Sequence, residues 1–399
     1  MKVRREARPV PGFRAAGLHA GIKAKGKDLA LVVSDAPANA AAIFTTSTVV
    51  GAPVTVSRER VKSGRARGVV VNSGCSNVAM GARGIRDAKA MSRLAALAID
   101  CDELEMLVAS TGVIGEPLPM EALRKGIPRV AGKLSAEGFD DAAEAIRTTD
   151  THAKVASIRF KLDGVFVTLQ GIAKGSGMIE PNMATMLSFL ATDAKIAPGV
   201  MRGMLKRVAD ETYNCLTVDG EGSTSDTVVF LANGVSGGPA IRAGSDSARQ
   251  FETALHAVCE DLVRQMARDG EGATKLVTVE VEGARTAAEA GRAARRIANS
   301  MLVKTAIFGG DPNWGRIMQT IGAGKVAWHE EKTRVRVGSA VVFSKGRSAG
   351  SAARKRAEKA LAAEEVLLRV DLGLGKGSAR VFTCDLTYDY IRINAEYTT

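Results

Sequence analysis

Aromatic side chains are scarce in this chain: two tryptophans, four tyrosines and eleven phenylalanines make up only 4% of its 399 residues. A surface that binds nucleic acid interleaves aromatics with basic groups so that bases can stack, and that pattern is missing. The formal charge of +12 is spread over Lys2–Arg8, Arg58–Arg67, Arg292–Arg296 and Arg354–Lys359, and is read as solvated faces that also draw in anionic metabolites. Cysteine is equally sparse. Cys75, Cys101, Cys215, Cys259 and Cys384 are odd in number, scattered and never in a Cys-x-x-Cys pair, which argues for reduced thiols over disulfides or zinc. His19, His152, His256 and His329 lack metal-ligand spacing, so no metal site is expected. No apolar run approaches the roughly 18 residues of a membrane span, and the opening MKVRREARPVPG has no signal-like apolar stretch; a cytoplasmic protein with no membrane partner is expected. The glycines at 175 and 177, and at 373, 375 and 377, fit neither phosphate-cradling pattern, so no nucleotide cofactor is expected.

What is present is an ordinary globular composition, 46% hydrophobic and 25% charged, in a chain long enough for two or three structural units. There is no repeat, low-complexity tract or flexible linker. Short β-branched runs predict strands at Leu29–Val33, Gly68–Val71, Met106–Ala109, Ala156–Phe160, Val165–Leu169, Met186–Ala191, Thr227–Leu231, Leu276–Glu282, Arg334–Val337, Glu365–Val370 and Arg380–Leu386. Amphipathic spacing predicts helices at Ile85–Ile99, Pro119–Lys125, Asp140–Thr148, Gly199–Asp210, Ser247–Ala267, Ala287–Ser300, Trp314–Ile321 and Ala352–Ala363. The expectation is a mixed α/β, or α+β, enzyme-like fold of layered sheets and helices.

Four polar segments carry candidate chemistry. In Lys174–Leu187 a threonine, Thr185, follows the small Ala184 just before apolar sequence. Cutting the Ala184–Thr185 bond would give Thr185 an α-amine, with a pKa of about 7.7–8.0, on the same residue as its hydroxyl, so base and nucleophile would be one residue. Ser110–Gly115 follows a strand, and its small residues would let backbone N–H groups or the Thr111 hydroxyl approach an oxyanion. Thr148–Thr151 offers hydroxyls for a carboxylate. Asp269–Lys275 follows a long helix and offers Glu271 to a substrate ammonium. Each also reads as scaffold: a buried strand, a strand-to-loop turn, a cap cluster, and a helix stop with Gly270 near C′.

Together these segments, with Asn214–Asp219, Ile297–Gly315, the ending Ile391–Thr399 and a weaker match at Gly68–Asn77, resemble the bifunctional ornithine acetyltransferases (glutamate N-acetyltransferases) of arginine biosynthesis. The resemblance implies an ornithine-acetyltransferase-like fold with a smaller second domain, and self-cleavage into an α chain, 1–184, and a β chain, 185–399, the latter including a C-terminal α/β subdomain. It implies Thr185 as nucleophile, Thr111 and Gly112 as oxyanion hole, and Thr151, Lys174, Thr185, Glu271, Asn394 and Thr399 as substrate-binding residues. It further implies acetyl transfer from N2-acetyl-L-ornithine to L-glutamate through an acetyl-threonine ester, with no cofactor, by an α2β2 heterotetramer. Where the family reads Asn-Ala, this chain has Cys75-Ser76; Glu221-Gly222 stands in place of Asp-Thr; and Arg147 and His152 flank Thr148–Thr151. These departures leave acetyl-CoA open as a second donor. A related self-cleaving amidohydrolase or aminopeptidase is the alternative enzyme, and a basic RNA-binding protein the alternative of another class.

Overall fold

A computed structural model describes residues 2–180 and 186–396. Its larger sheet contains β1 (Phe13–Leu18), β2 (Leu29–Phe44), β3 (Arg65–Cys75), β4 (Met106–Val113), β5 (Lys154–Leu162), β6 (Val165–Lys174), β7 (Leu187–Thr192) and β8 (Thr227–Ala232). The strand order is β4-β3-β2-β8-β7-β6-β5, with β1 against β2. Pairing is parallel for β3–β4 and β7–β8 and antiparallel for the rest.

Both faces of this sheet are covered. All six residues of β7 and all six of β8 are buried, so these strands read as unbroken apolar runs, as strands covered on both sides do. Leu187, Phe189 and Ala191 pack with Val229 and Leu231 on one face, where the helix at Phe139–Ala145 also contributes. Leu190, Val228 and Phe230 turn to the other face. There they meet helices over Pro198–Glu211 and Asp246–Arg268. Helices Ala52–Arg60, Gly81–Ala98 and Met120–Ala131 pack near β4. These helices, in chain order, are α1 (52–60), α2 (81–98), α3 (120–131), α4 (139–145), α5 (198–211) and α6 (246–268).

A second sheet follows: β9 (Leu276–Ala284), β10 (Arg334–Val337), β11 (Ala340–Ser344), β12 (Arg347–Ser348), β13 (Glu365–Asp371) and β14 (Gly377–Cys384), in the order β12-β11-β10-β13-β9-β14. Its helices are α7 (Ala287–Asn299), α8 (Met301–Phe308), α9 (Trp314–Ala323) and α10 (Ser351–Leu361), and the described chain ends in α11 (Tyr388–Glu396). The result is a mixed α/β architecture of two layered sheets, as expected. Helix α6 links the two bodies. Its stripe Phe251, Leu255, Val258, Leu262 and Met266 shares a core with Leu276 and Phe382 of the second sheet, and Ser245 caps its first turn by accepting from Ala248 N.

Several elements differ from the sequence reading. Strand β2 runs eleven residues past Val33, because its second half, from Asn39, pairs with β8 after an irregularity between Val33 and Ala38. Helix α4 stops at Ala145 rather than Thr148, since Arg147 turns to hold Glu144 and the Asp150 carbonyl. Helix α3 continues through Pro128 to Ala131. Gly270 is not a left-handed cap: the positive φ of +67° belongs to Gly272, while a Cβ on Gly270 would lie 2.7 Å from Cys384 Sγ. Close packing against β14 therefore explains that glycine.

Phe251 is fully buried between Phe160 and Phe230, each with its ring centroid 6.1 Å away. Phe251→Ala should cost about 3–5 kcal/mol and lower the midpoint of chemical denaturation; an unchanged midpoint would show that this contact does not hold the large sheet to α6.

Candidate functional site

A cleft opens where several elements end side by side. The end of β4 supplies Thr111 and Gly112, the end of β6 Lys174, and the residue before β8 Asp226; the turn after α6 supplies Glu271 and α11 supplies Asn394. The cleft has about 760 Å³ of empty space when its open mouth is counted. Sheet register sets much of this arrangement. Lys174 lies opposite Leu187, and Leu187 opposite Thr227, so one row of the sheet joins Lys174 to the residue after Asp226.

The oxyanion candidates stand on a parallel pair with a bulge. Register shifts between Gly74 and Cys75. Gly112 has φ +126°, and a Cβ there would lie 2.4 Å from the Gly74 carbonyl carbon, a clash that admits only glycine. Lys174 Nζ donates to Thr111 Oγ1 at 3.3 Å. Across the cleft, Asn394 Nδ2 donates to Glu271 Oε2 at 2.8 Å. The Glu271 carboxylate packs on Gly177, where a Cβ would come within 2.4 Å of it. A buried cation and a buried anion thus face one cleft beside small residues.

Beneath the cleft lies a buried charge network. Lys154 Nζ, fully buried, donates to Asp150 Oδ1 at 2.7 Å and Asp269 Oδ2 at 2.5 Å. Asp150 also accepts from Gly175 N at 2.7 Å and Thr148 N at 3.0 Å. Burial alone would raise the Asp150 carboxyl, but Lys154 and Lys174 outweigh it and hold it below the usual carboxylate range. Burial pushes the Lys174 ammonium down, against the pull of Asp150. Among the described residues Asp226 makes no ion pair: burial drives its carboxyl well above the carboxylate range, opposed by Ser223 and by Lys174.

Thr111, Gly112, Lys174, Glu271 and Asn394 therefore meet at one cleft. Thr151 is not among its lining; the exposed Thr151 donates through its hydroxyl to Asp269 and through its N–H to Asp269 Oδ2 at 3.0 Å, joining the network beneath. Ala184, Thr185 and Thr399 lie outside the described residues; Met186, next to Thr185, lines the cleft, and its carbonyl accepts from Thr227 N at 2.9 Å. Of the departures, Ser76 lines the cleft and Cys75 donates to the Glu116 carbonyl at 3.3 Å. Sequence reasoning overlooked Asp226 and Lys154. The signal for both was a charged residue beside or inside an apolar strand. Among the described residues no group of three His, Cys, Asp or Glu is placed to hold a metal, and no helix is long and apolar enough to cross a membrane.

This fold and cleft define an enzyme acting on small charged molecules. A family model described as the ArgJ family matches residues 14–399, and the chain belongs to that family; it is an acetyltransferase of arginine biosynthesis. The arginine biosynthesis bifunctional protein ArgJ of Geobacter sulfurreducens is 46% identical over 391 residues, covering 98% of this chain and all of that one. The protein of the same name from Synechococcus is 48% identical over 398 residues, covering 97% and 96%. A crystallised Bacillus halodurans relative is 44% identical, with all of that chain and 53% of this one covered, at a TM-score of 0.51.

The network makes opposite demands on pH in two proteins. In the wild type the depressed Asp150 carboxyl contributes stability above its unfolded value of about 3.9, and that contribution is lost as pH falls further. Lys154→Met strands Asp150 and Asp269, at about 3–5 kcal/mol. The Asp150 carboxyl then loses the cation that chiefly held it down while its burial remains, so the variant should lose stability as pH rises where the wild type gains it. Thermal melts over a pH series check this, and parallel curves for the two proteins would contradict it.

Proposed function

We propose that the chain cuts itself between Ala184 and Thr185, giving an α chain, 1–184, and a β chain, 185–399, and that Thr185 then carries acetyl from N2-acetyl-L-ornithine to L-glutamate. The reading is carried by one observation: buried Lys174 and Glu271 converge with Thr111 and Gly112 on a cleft lined by Met186, the residue next to Thr185. A free α-amine on Thr185 takes the hydroxyl proton as oxygen attacks the acetyl carbonyl. Thr111 and Gly112 steady the negative oxygen that forms, and the proton returns to the departing ornithine nitrogen. Glutamate's neutral α-amine attacks the ester in turn. Amide is exchanged for amide, so no cofactor is required; acetyl-CoA, a thioester, would be a second donor to the same threonine. The crystallised relative, covered whole yet matching 53% of this chain, supports a two-chain product, since 215 of 399 residues is about 54%. The working enzyme is then an α2β2 particle in the cytoplasm.

Scaling 41.8 kDa by 184 and by 215 of 399 residues gives pieces of about 19 and about 22 kDa. Denaturing gels and intact mass should find both pieces in the wild type and one uncut chain in Thr185→Ala, where the acyl shift has no oxygen; two pieces from that variant would sink the reading. In the mature enzyme, parallel double-reciprocal plots and an acetyl adduct on the β chain are expected, with acetyl release dependent on glutamate.

Thr111→Ala should lower kcat by about 10²–10³-fold with little change in KM. Glu271→Gln keeps shape and removes charge, and should cost roughly 2–5 kcal/mol in kcat/KM for N-acetylornithine. A change within about twofold would reduce Glu271 to a residue of the turn.

A further inference from the structure

Cutting at Ala184–Thr185 brings two groups of one chain together. The Thr185 hydroxyl oxygen bonds to the Ala184 carbonyl carbon, the carbon–nitrogen bond breaks, and the nitrogen takes the hydroxyl proton, which leaves an ester; water then hydrolyses that ester to the Ala184 carboxylate and a free hydroxyl. No second molecule brings the two groups into reach, so the approach depends on how the chain is held on either side.

Downstream the hold is the large sheet. Met186 gives its carbonyl to Thr227 N at 2.9 Å, and Leu187 sits opposite both Lys174 and Thr227. Upstream the hold is one carboxylate. Asp219 Oδ2 accepts from Met178 N at 2.7 Å, and Oδ1 from Ile179 N at 2.8 Å. Oδ1 also accepts from Glu221 N at 3.3 Å, and Oδ2 from the Tyr390 hydroxyl of α11 at 3.4 Å. Four donors thus meet the four lone pairs of a carboxylate, a set that an amide of the same shape cannot accept. The fully buried Ile179 gives its carbonyl to Val218 N at 2.7 Å. Glu180 accepts from Asn299 Nδ2 at the end of α7, and Asn299 Oδ1 accepts from Thr217 Oγ1 at 2.6 Å. Residues 217–219 are anchored in turn to the second sheet and its helices: Thr217 N donates to the Phe382 carbonyl of β14 at 2.9 Å, and Lys304 of α8 donates to the Val218 carbonyl.

The effect of this hold is visible at Met178. Its φ is +52°, a left-handed conformation that residues other than glycine avoid. Successive N–H groups on such a turn converge on a single anion, and Asp219 is that anion. Strain of this kind persists only where the surroundings impose it, and it gathers at working sites. Here it fixes the direction in which the chain leaves Glu180 for the residues to be cut.

We infer that Asp219 is a positioning residue for self-cleavage, assisted by Asn299: together they fix the chain through Glu180 as the sheet fixes it from Met186. This rests on the self-cleavage reading above. It also gives the second sheet a part in maturation, because the segment that carries Asp219 is anchored there.

Full-length chain labelled during cell-free synthesis, then chased, reports cutting as the loss of the uncut band on denaturing gels, and thermal melts report folding. Asp219→Asn keeps the shape but removes the charge and one acceptor, so it should slow cutting by at least about tenfold, and Asp219→Ala should slow it further. Ile127→Ala, in a separate core under α3, also loses stability and should cut within about threefold of the wild type. A slow cut is then not the mark of a loosened fold. Adding Met178→Gly to Asp219→Asn should recover at least about threefold, because glycine takes a positive φ unaided. If the Asp219 variants show no cooperative melting, Asn299→Ala decides, with cutting slowed at least about threefold. Wild-type speed in folded Asp219→Asn or in Asn299→Ala, an equal slowing by Ile127→Ala, or no recovery with Met178→Gly would overturn this inference alone. A wild-type chain that is never cut would instead overturn the functional reading, and the inference with it.

Discussion

The ion cluster of Asp150, Lys154 and Asp269 sets the rest of the site. Three charges have been taken out of water, and none is tolerable alone at that depth. Each therefore demands its partners, and the partners come from separate parts of the chain: the turn before β5, β5 itself, and the end of α6. The same cluster reaches the reactive surface through backbone groups. Asp150 holds Gly175 N, and the Asp269 carbonyl accepts from Ser176 Oγ at 2.6 Å. Ser176 in turn gives its carbonyl to Glu271 N at 2.8 Å. The loop after Lys174 and the turn bearing Glu271 are thus two edges of one charged core.

That arrangement explains which parts of the site were legible in the amino-acid sequence. Thr111, Gly112 and Glu271 stood out in polar, glycine-punctuated segments against apolar strands, Lys174 and Asn394 came with the family resemblance, and the structure gathers all five. Thr151 stood in the same kind of segment, yet it serves the network beneath. A hydroxyl aimed at a ligand and one aimed at a buried carboxylate give the same letters. Lys154 left only the faint signal of a lysine opening an apolar strand; of its two partners Asp269 is 115 residues away, and no local pattern records a pairing at that separation. Asp226 escaped because its environment, not its neighbours in sequence, makes it unusual.

The fold was legible to a similar depth. Strands such as Arg334–Val337 follow directly from alternation, since a half-buried strand requires it. The length of β2 was hidden because its second half, from Asn39, is rich in alanine, and pairing with β8 makes it extended. The closing segment showed no helical stripe, because α11 buries none of its side chains fully. It is held from outside by contacts such as Phe308 against Tyr388 and Asn394 against Glu271.

The antiparallel ladder from Lys174↔Leu187 to Leu169↔Thr192 has a consequence for the life history of the molecule. It binds the strand before residues 181–185 directly to the strand after them. The connection between these strands is needed to find the register, but not to keep it once the sheet is buried on both faces. A chain cut there retains its shape while losing the means to regain it, because folding from the denatured state becomes a meeting of two molecules and depends on their concentration. A chain so cut would be held together by the slowness of its unfolding rather than by any easy return. The proposed cut would make maturation a one-way passage, made once, after the sheet has closed.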